Sequence, residues 1–176
     1  MTDNFCHCCF VTLSHMNDAT LWLEIIQTLQ GQGSTVSSAE SCTGGLIGAG
    51  FTSIPGSSSC FMGGIIAYDN RIKQSLLGVS PSLLQQFGAV SEEVVRAMAL
   101  GAQKALGTTW ALATSGIAGP DGGTPEKPVG TVWMAIAGPN SCHAFCEIFP
   151  GKRNEIRDAS VQYIVHSFLD QIRVHK

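Results

Sequence analysis

Between Glu40 and Asp69 the chain carries no charged side chain: from Ser41 to Tyr68 there is no Asp, Glu, Lys or Arg. An uncharged run of that length belongs either in a bilayer or in the core and loops of a water-soluble domain. A membrane helix needs about 20 consecutive, predominantly apolar residues. Gly44, Gly45, Gly48, Gly50, Pro55 and the Gly56-Ser57-Ser58-Ser59 run break this stretch up, so the soluble destination is expected. Composition agrees. Of 176 residues 44% are hydrophobic and only 13% charged, where an average globular chain has about 25% charged. Disorder requires the opposite balance. A formal charge of −3 also excludes a nucleic-acid binder working through a basic field.

The N-terminus shows no basic region followed by an apolar stretch, so no secretory signal is visible and a cytoplasmic location is expected. Seven cysteines, odd in number and unevenly spaced, do not read as a disulfide framework. Cys6-His7-Cys8-Cys9 and His15 lack a second ligand pair at zinc spacing. Residues 1–16 therefore read as an unstructured N-terminal extension, with Met16 a candidate start, and residues 17–176 as one domain.

Within that domain helical and strand-like periods alternate. Trp22, Ile25, Ile26 and Leu29 repeat at helical spacing up to Gly31 and Gly33. Short apolar runs at 35–39, 64–68 and 110–114 read as strands, and 43–54 as a buried helix stopped by Pro55-Gly56. Asn70 is a candidate cap for a helix to Leu77. Ser91, with Glu92 and Glu93 behind it, caps another whose buried face is Val95, Met98, Ala102 and Ala105. Residues 131–137 and 142–149 form a strand pair across Gly138-Pro139-Asn140, with Cys142, Ala144, Cys146 and Ile148 on one face. A last helix follows Pro150-Gly151. The alternation predicts an α/β fold: a three-layer α/β/α single domain with a mixed sheet.

Three glycine-rich polar segments (40–45, 55–59, 115–123) follow strand-like runs. Such loops gather backbone N–H groups and are where α/β proteins bind ligands. None is a P-loop, since no Gly-Lys-Ser/Thr follows at the required spacing. The five histidines lie outside these loops and no metal-binding motif appears, so neither metal nor cofactor is expected. A Ser-His-Asp triad remains open, without a motif to support it.

The segments "AESCTGG" (39–45), "PGSS" (55–58), "GAVSE" (88–92), "TSGIAGPDGG" (114–123) and "KPVGTVW" (127–133) together resemble the CinA C-terminal-domain family, in order, over residues 17–173. Its stand-alone members are nicotinamide-nucleotide amidohydrolases. The resemblance implies metal-independent hydrolysis of the carboxamide of nicotinamide mononucleotide to nicotinic acid mononucleotide and ammonia. It matches Ser58 to the family's nucleophile, though Ser57 and Ser59 adjoin it, and matches Tyr68 and Lys73 to proton-handling positions. Burial would lower the pKa of Lys73 toward that of a working base. An acyl-enzyme and an activated water both remain open.

Ser41, Thr43, Gly44 and Gly45 are expected to hold ribose, phosphate or the oxyanion. Ser115, Gly116, Ala118 and Gly119 are expected to let backbone approach the ligand. Arg153 and Arg157, one helical turn apart, suit a phosphate. The partner expected is the small substrate alone, with neither nucleic acid nor membrane, in a homo-oligomer of which a dimer is the first choice. The alternative is a non-catalytic nucleotide-binding or regulatory module. A role in competence or DNA recombination rests on the family's name and finds no basic patch.

Overall fold

The structure, a computed structural model, describes residues 18–174; the extension expected at 1–16, with its cysteines and histidines, lies outside them. Helix α1 (Asp18–Gln32) buries Leu21, Trp22, Ile25, Ile26 and Leu29. Strand β1 (Val36–Glu40) follows, then helix α2 (Leu46–Thr52), a 3-10 turn at Ser57–Ser59 and strand β2 (Phe61–Ile66). Helices α3 (Asn70–Leu77), α4 (Pro81–Phe87) and α5 (Glu92–Leu106) lead to β3 (Trp110–Gly116). Strands β4 (Thr131–Ala137) and β5 (Cys142–Ile148) and the long helix α6 (Arg153–Val174) complete the domain.

The sheet order is β2-β1-β3-β4-β5. Strands β2, β1 and β3 are parallel, whereas β4 and β5 are antiparallel to their neighbours, so the sheet is mixed. The parallel joins need crossovers, supplied by α2 and by α3–α5. Side chains alternate across the pleat. Val36, Leu112, Val132, Met134 and Ile136 point into a core with α1 and α6. Ala39, Ala111, Ala113, Ala135 and Ala137 form a floor of small residues under α5. Gly101 lets α5 lie against α3: a Cβ there would sit 2.0 Å from the Leu77 carbonyl oxygen.

Several boundaries differ from the sequence reading. The helix expected over 43–54 begins only at Leu46, because Gly44 and Gly45 take φ values of 61° and 100° and the chain turns before it coils. Strand β2 covers 61–66 rather than 64–68. The cap of α3 is Asp69, whose carboxylate accepts from the Arg71 N–H, and Ala105 is exposed. Helix α4 has no apolar stripe to announce it; it is marked by its Ser80 cap and by Pro81 in its first turn. Strand β5 ends the sheet, so its expected alternation is blurred, and Ile148 is 61% exposed. Among the described residues no helix is long and apolar enough to cross a membrane.

Candidate active site

The parallel strands β1, β2 and β3 end on the same side of the sheet, and their outgoing loops surround a pocket of about 190 Å³. Ser41 and Cys42 come from β1, Tyr68, Asn70 and Lys73 from β2 and α3, and Ala89 and Val90 from the turn before α5. Ser115, Gly116 and Ala118 come from β3, and Arg153 from the start of α6. A wider depression of about 380 Å³, near the opposite end of β3, is lined by Trp110, Ser141, His143 and Asp170 among others. No hydrogen bond joins Ser141, His143 and Asp170, so they do not form a working triad.

Lys73 is the least ordinary residue of the pocket. Only 1% exposed, it makes no ion pair among the described residues. Its Nζ donates to the carbonyl oxygens of Ala67 (2.8 Å) and Tyr68 (3.2 Å) and to Ser41 Oγ (3.1 Å). Burial pushes its pKa below the usual lysine value, against a weaker opposing pull from Asp69 and Cys42. The three neighbours are chemically unequal. Two are carbonyls, which only accept; the third is a hydroxyl, which also donates. A neutral Lys73 amine keeps two N–H donors on the carbonyls and directs its lone pair at the Ser41 hydroxyl. This is the arrangement of a nucleophile and its general base.

The backbone around Ser41 is fixed by Glu40, a buried carboxylate at the end of β1. Glu40 Oε2 accepts from Thr43 Oγ1 (2.8 Å) and the backbone N–H groups of Gly45 (2.8 Å) and Ile47 (3.1 Å). Its Oε1 accepts from Ser38 Oγ (3.1 Å) and the Gly48 N–H (2.9 Å). The start of α2, where a substrate anion was expected, is therefore filled by the chain's own carboxylate. Thr43 is fully buried, bonded to Glu40 and to Thr114 Oγ1 (2.8 Å), and Thr43, Gly44 and Gly45 are not among the pocket's lining.

The two arginines diverge. Arg157 donates to the carbonyl oxygens of Cys42 (3.1 Å) and Thr43 (2.8 Å), tying α6 to the loop after β1, and does not line the pocket. Arg153 stands at the mouth, donating to the Gly119 carbonyl (2.7 Å) and to the Tyr68 hydroxyl (3.2 Å). Gly119 thus meets Arg153 rather than the pocket interior. Ser115, Gly116 and Ala118 do line the pocket, and Ser115 Oγ donates to the Ala89 carbonyl (2.7 Å).

Ser58 is separated from these groups. It lies exposed in the 3-10 turn before β2, whereas Tyr68 and Lys73 follow β2. Strand β2 extends between them, roughly 20 Å at the usual ~3.3 Å rise per residue. Within one chain the hydroxyl beside Lys73 is that of Ser41. The Cys42 thiol, next to it, is pushed up to about 11 by burial and stays protonated near neutrality.

Five contributors were not named as site residues from the sequence. Glu40 stood only at the edge of the uncharged run, although a carboxylate ending a strand before Thr-Gly-Gly is a signal for capping the next helix. Asn70 lines the pocket from the first turn of α3. Ala89 and Val90 shape one wall, and Lys127 holds that wall, its Nζ donating to the carbonyls of Phe87 (3.1 Å) and Val90 (2.7 Å). Among the described residues no three His, Cys, Asp or Glu side chains converge to hold a metal ion.

Known proteins share this arrangement of elements. Residues 18–172 match the CinA C-terminal domain model. A CinA-like protein of Parasynechococcus marenigrum is 52% identical over 156 residues, 89% of this chain and 37% of that protein. One from Geotalea uraniireducens is 59% identical over 125 residues, 71% of this chain and 30% of that protein. The chain thus spans about a third of the length of these relatives. The crystal structure of the competence/damage inducible protein CihA from Agrobacterium tumefaciens superposes with a TM-score of 0.84 at 39% identity, covering 87% of this chain and 94% of that one. The competence damage-inducible protein A from Klebsiella pneumoniae gives 0.86 at 29% identity, covering 89% and 98%. With its segments 39–45 and 114–123 contributing to one pocket at the end of a mixed sheet, this chain belongs to the CinA C-terminal domain family.

Proposed function

We propose that the chain is an amidohydrolase that converts nicotinamide mononucleotide to nicotinic acid mononucleotide and ammonia. The observation that carries this is the buried Lys73 amine, without an ion pair among the described residues, 3.1 Å from Ser41 Oγ. Lys73 takes the Ser41 proton as Oγ attacks the carboxamide carbon. The proton passes to the departing nitrogen, ammonia leaves, and a Ser41 ester remains. Water, deprotonated by Lys73, cleaves that ester to the carboxylate and restores Ser41.

The pocket, about 190 Å³, suits a pyridine ring with its carboxamide rather than a whole nucleotide. Ribose and phosphate then extend to the mouth, where Arg153 supplies the cation and Tyr68 the aromatic rim. The low charge of the lining strengthens that attraction. A metal is not required by these steps. The nucleophile differs from the one the family resemblance implies, because Ser58 does not meet Lys73 within the chain.

The test is ammonia release from nicotinamide mononucleotide by the purified chain, beside its Ser41→Ala and Lys73→Met variants. Turnover by the wild type and its loss in both variants is expected. Full activity of Ser41→Ala would remove Ser41 from the mechanism. Saturable binding without turnover by the wild type would overturn the catalytic reading in favour of a nucleotide-binding module.

A further inference from the structure

Attack on a carboxamide puts negative charge on its oxygen, and the segment expected from sequence to receive that charge does not reach the pocket. The Gly45, Ile47 and Gly48 N–H groups donate to Glu40, and Thr43, Gly44 and Gly45 stand outside the lining. The turn between α4 and α5 offers another source of donors. Along it, four successive carbonyl oxygens each accept from a side chain. Lys127 Nζ donates to Phe87 (3.1 Å) and Val90 (2.7 Å), Ser91 Oγ to Gly88 (2.9 Å) and Ser115 Oγ to Ala89 (2.7 Å).

The N–H groups of the same turn show the reverse. That of Gly88 closes α4 on the Leu84 carbonyl, while those of Ala89 and Val90 meet no acceptor among the described residues. A trans peptide is planar and points its N–H opposite to its C=O. Holding the Gly88 carbonyl on Ser91 and the Ala89 carbonyl on Ser115 therefore fixes the directions of the Ala89 and Val90 N–H groups. Both residues line the pocket that contains Ser41 and Lys73. Carbonyls on a half-exposed turn can be satisfied by water. Three side chains here hold four of them instead, two reaching across from β3 and the loop after it.

We infer, resting on the amidohydrolase reading, that the Ala89 and Val90 N–H groups form the oxyanion site of the reaction and that Ser115 and Lys127 position them. As Ser41 Oγ bonds to the carboxamide carbon, its proton passes to Lys73. The carbonyl π pair moves onto oxygen, where the two N–H groups receive it. On collapse that pair returns, the C–N bond breaks, and the Lys73 proton leaves with the nitrogen. Preformed donors of this kind act more strongly on the transition state than on the ground-state carbonyl. Lys127 lies outside the pocket lining and touches none of the reacting atoms. Its loss is therefore read in rate rather than in substrate binding.

The experiment compares Lys127→Met, which removes both bonds, with Lys127→Arg, which can restore them. On nicotinamide mononucleotide, Lys127→Met should lower kcat about 10- to 100-fold with KM within about threefold, less than the loss of an oxyanion donor itself. Lys127→Arg should recover most of that rate. Ser115→Ala, a smaller change that frees the Ala89 carbonyl, should show the same split. The second probe is the substrate's aldehyde analogue, with CHO in place of the carboxamide. Ser41 adds across its carbonyl, and the new oxygen occupies the oxyanion site. Its affinity should fall in both variants by about the factor lost from kcat, while nicotinic acid mononucleotide binds unchanged. Unchanged kcat in Lys127→Met and Ser115→Ala, or equal losses of affinity for aldehyde and product, would overturn the oxyanion assignment, and wild-type turnover would leave the amidohydrolase reading standing. A wild type that neither releases ammonia nor binds the aldehyde more tightly than the product would overturn both.

Discussion

Replacing Glu40 by glutamine removes one charge, keeps the shape, and tests whether this carboxylate holds the loop that carries Ser41. Five donors converge on Glu40: Thr43 Oγ1 and the Gly45 and Ile47 N–H groups on Oε2, Ser38 Oγ and the Gly48 N–H on Oε1. A glutamine has one acceptor oxygen. Its better orientation leaves that oxygen with the three donors of the Oε2 side and points the NH₂ at Ser38 and Gly48. The Ser38 hydroxyl can turn to accept, but the Gly48 N–H cannot, and an orphaned buried N–H costs about 1–3 kcal/mol. The three retained bonds drop from charge-assisted to neutral, losing on the order of 1 kcal/mol each. Against this, a neutral amide is easier to bury than a carboxylate by several kcal/mol before its partners are counted. The net expectation is a loss of roughly 2–4 kcal/mol, which at ~2–4 °C per kcal/mol for a domain of this size lowers Tm by about 4–16 °C. Thermal unfolding followed by dichroism at neutral pH reads this directly. Glu40→Ala, which abandons all five donors, should fall further. An unchanged Tm for Glu40→Gln would refute the reasoning, because the five bonds would then be worth no more than those of a neutral amide.

Four further outcomes are expected. Turnover should rise with pH along a limb set by Lys73, its midpoint below the usual lysine value of about 10.4; a limb at the ordinary value or its absence would argue against a lysine base. Because folded Lys73 binds fewer protons than the unfolded chain between its lowered value and about 10.4, its contribution to stability should rise with pH across that window. Arg153→Ala should raise KM for the mononucleotide about 10- to 100-fold, the worth of a charge-assisted hydrogen bond, with a smaller change in kcat; an equal loss with a substrate lacking phosphate would place Arg153 elsewhere in the reaction. Gly101→Ala, whose Cβ would lie 2.0 Å from the Leu77 carbonyl oxygen, should cost about 1–3 kcal/mol in urea unfolding as α5 is pushed off α3.

The layers were legible because period and burial agree. The stripe of α1, the Ser91 cap of α5 and the apolar run of β4 each follow from one face meeting the core. Lys73 was reached through the family resemblance, and desolvation supplied only the physical reason a lysine there could act as a base. What the sequence hid is mostly a matter of direction. Nothing in a row of residues tells which end of β2 a serine occupies in space, so the resemblance groups Ser58 with Tyr68 and Lys73 in one mechanism although β2 lies between them. Arg153 and Arg157 share a helical face by spacing, yet one turn along α6 is enough to send one to the mouth and the other to the carbonyls of Cys42 and Thr43. The Gly44-Gly45 segment read as a free anion site because its occupant, Glu40, is contributed from just before it.

The alanine floor beneath α5 links packing to the pocket. Helix α5 rests on Ala39, Ala111, Ala113, Ala135 and Ala137, and the turn at its N-terminus supplies Ala89 and Val90 to the pocket wall. The thickness of those alanines therefore sets how far that wall stands from Ser41. Adding methyl groups beneath the helix would act as a shim, moving the wall outward without touching a pocket residue. Pocket width in this fold is then a quantity that drift in the core can tune, and relatives that accept larger ligands should show it first as bulkier residues on the hidden face of the sheet.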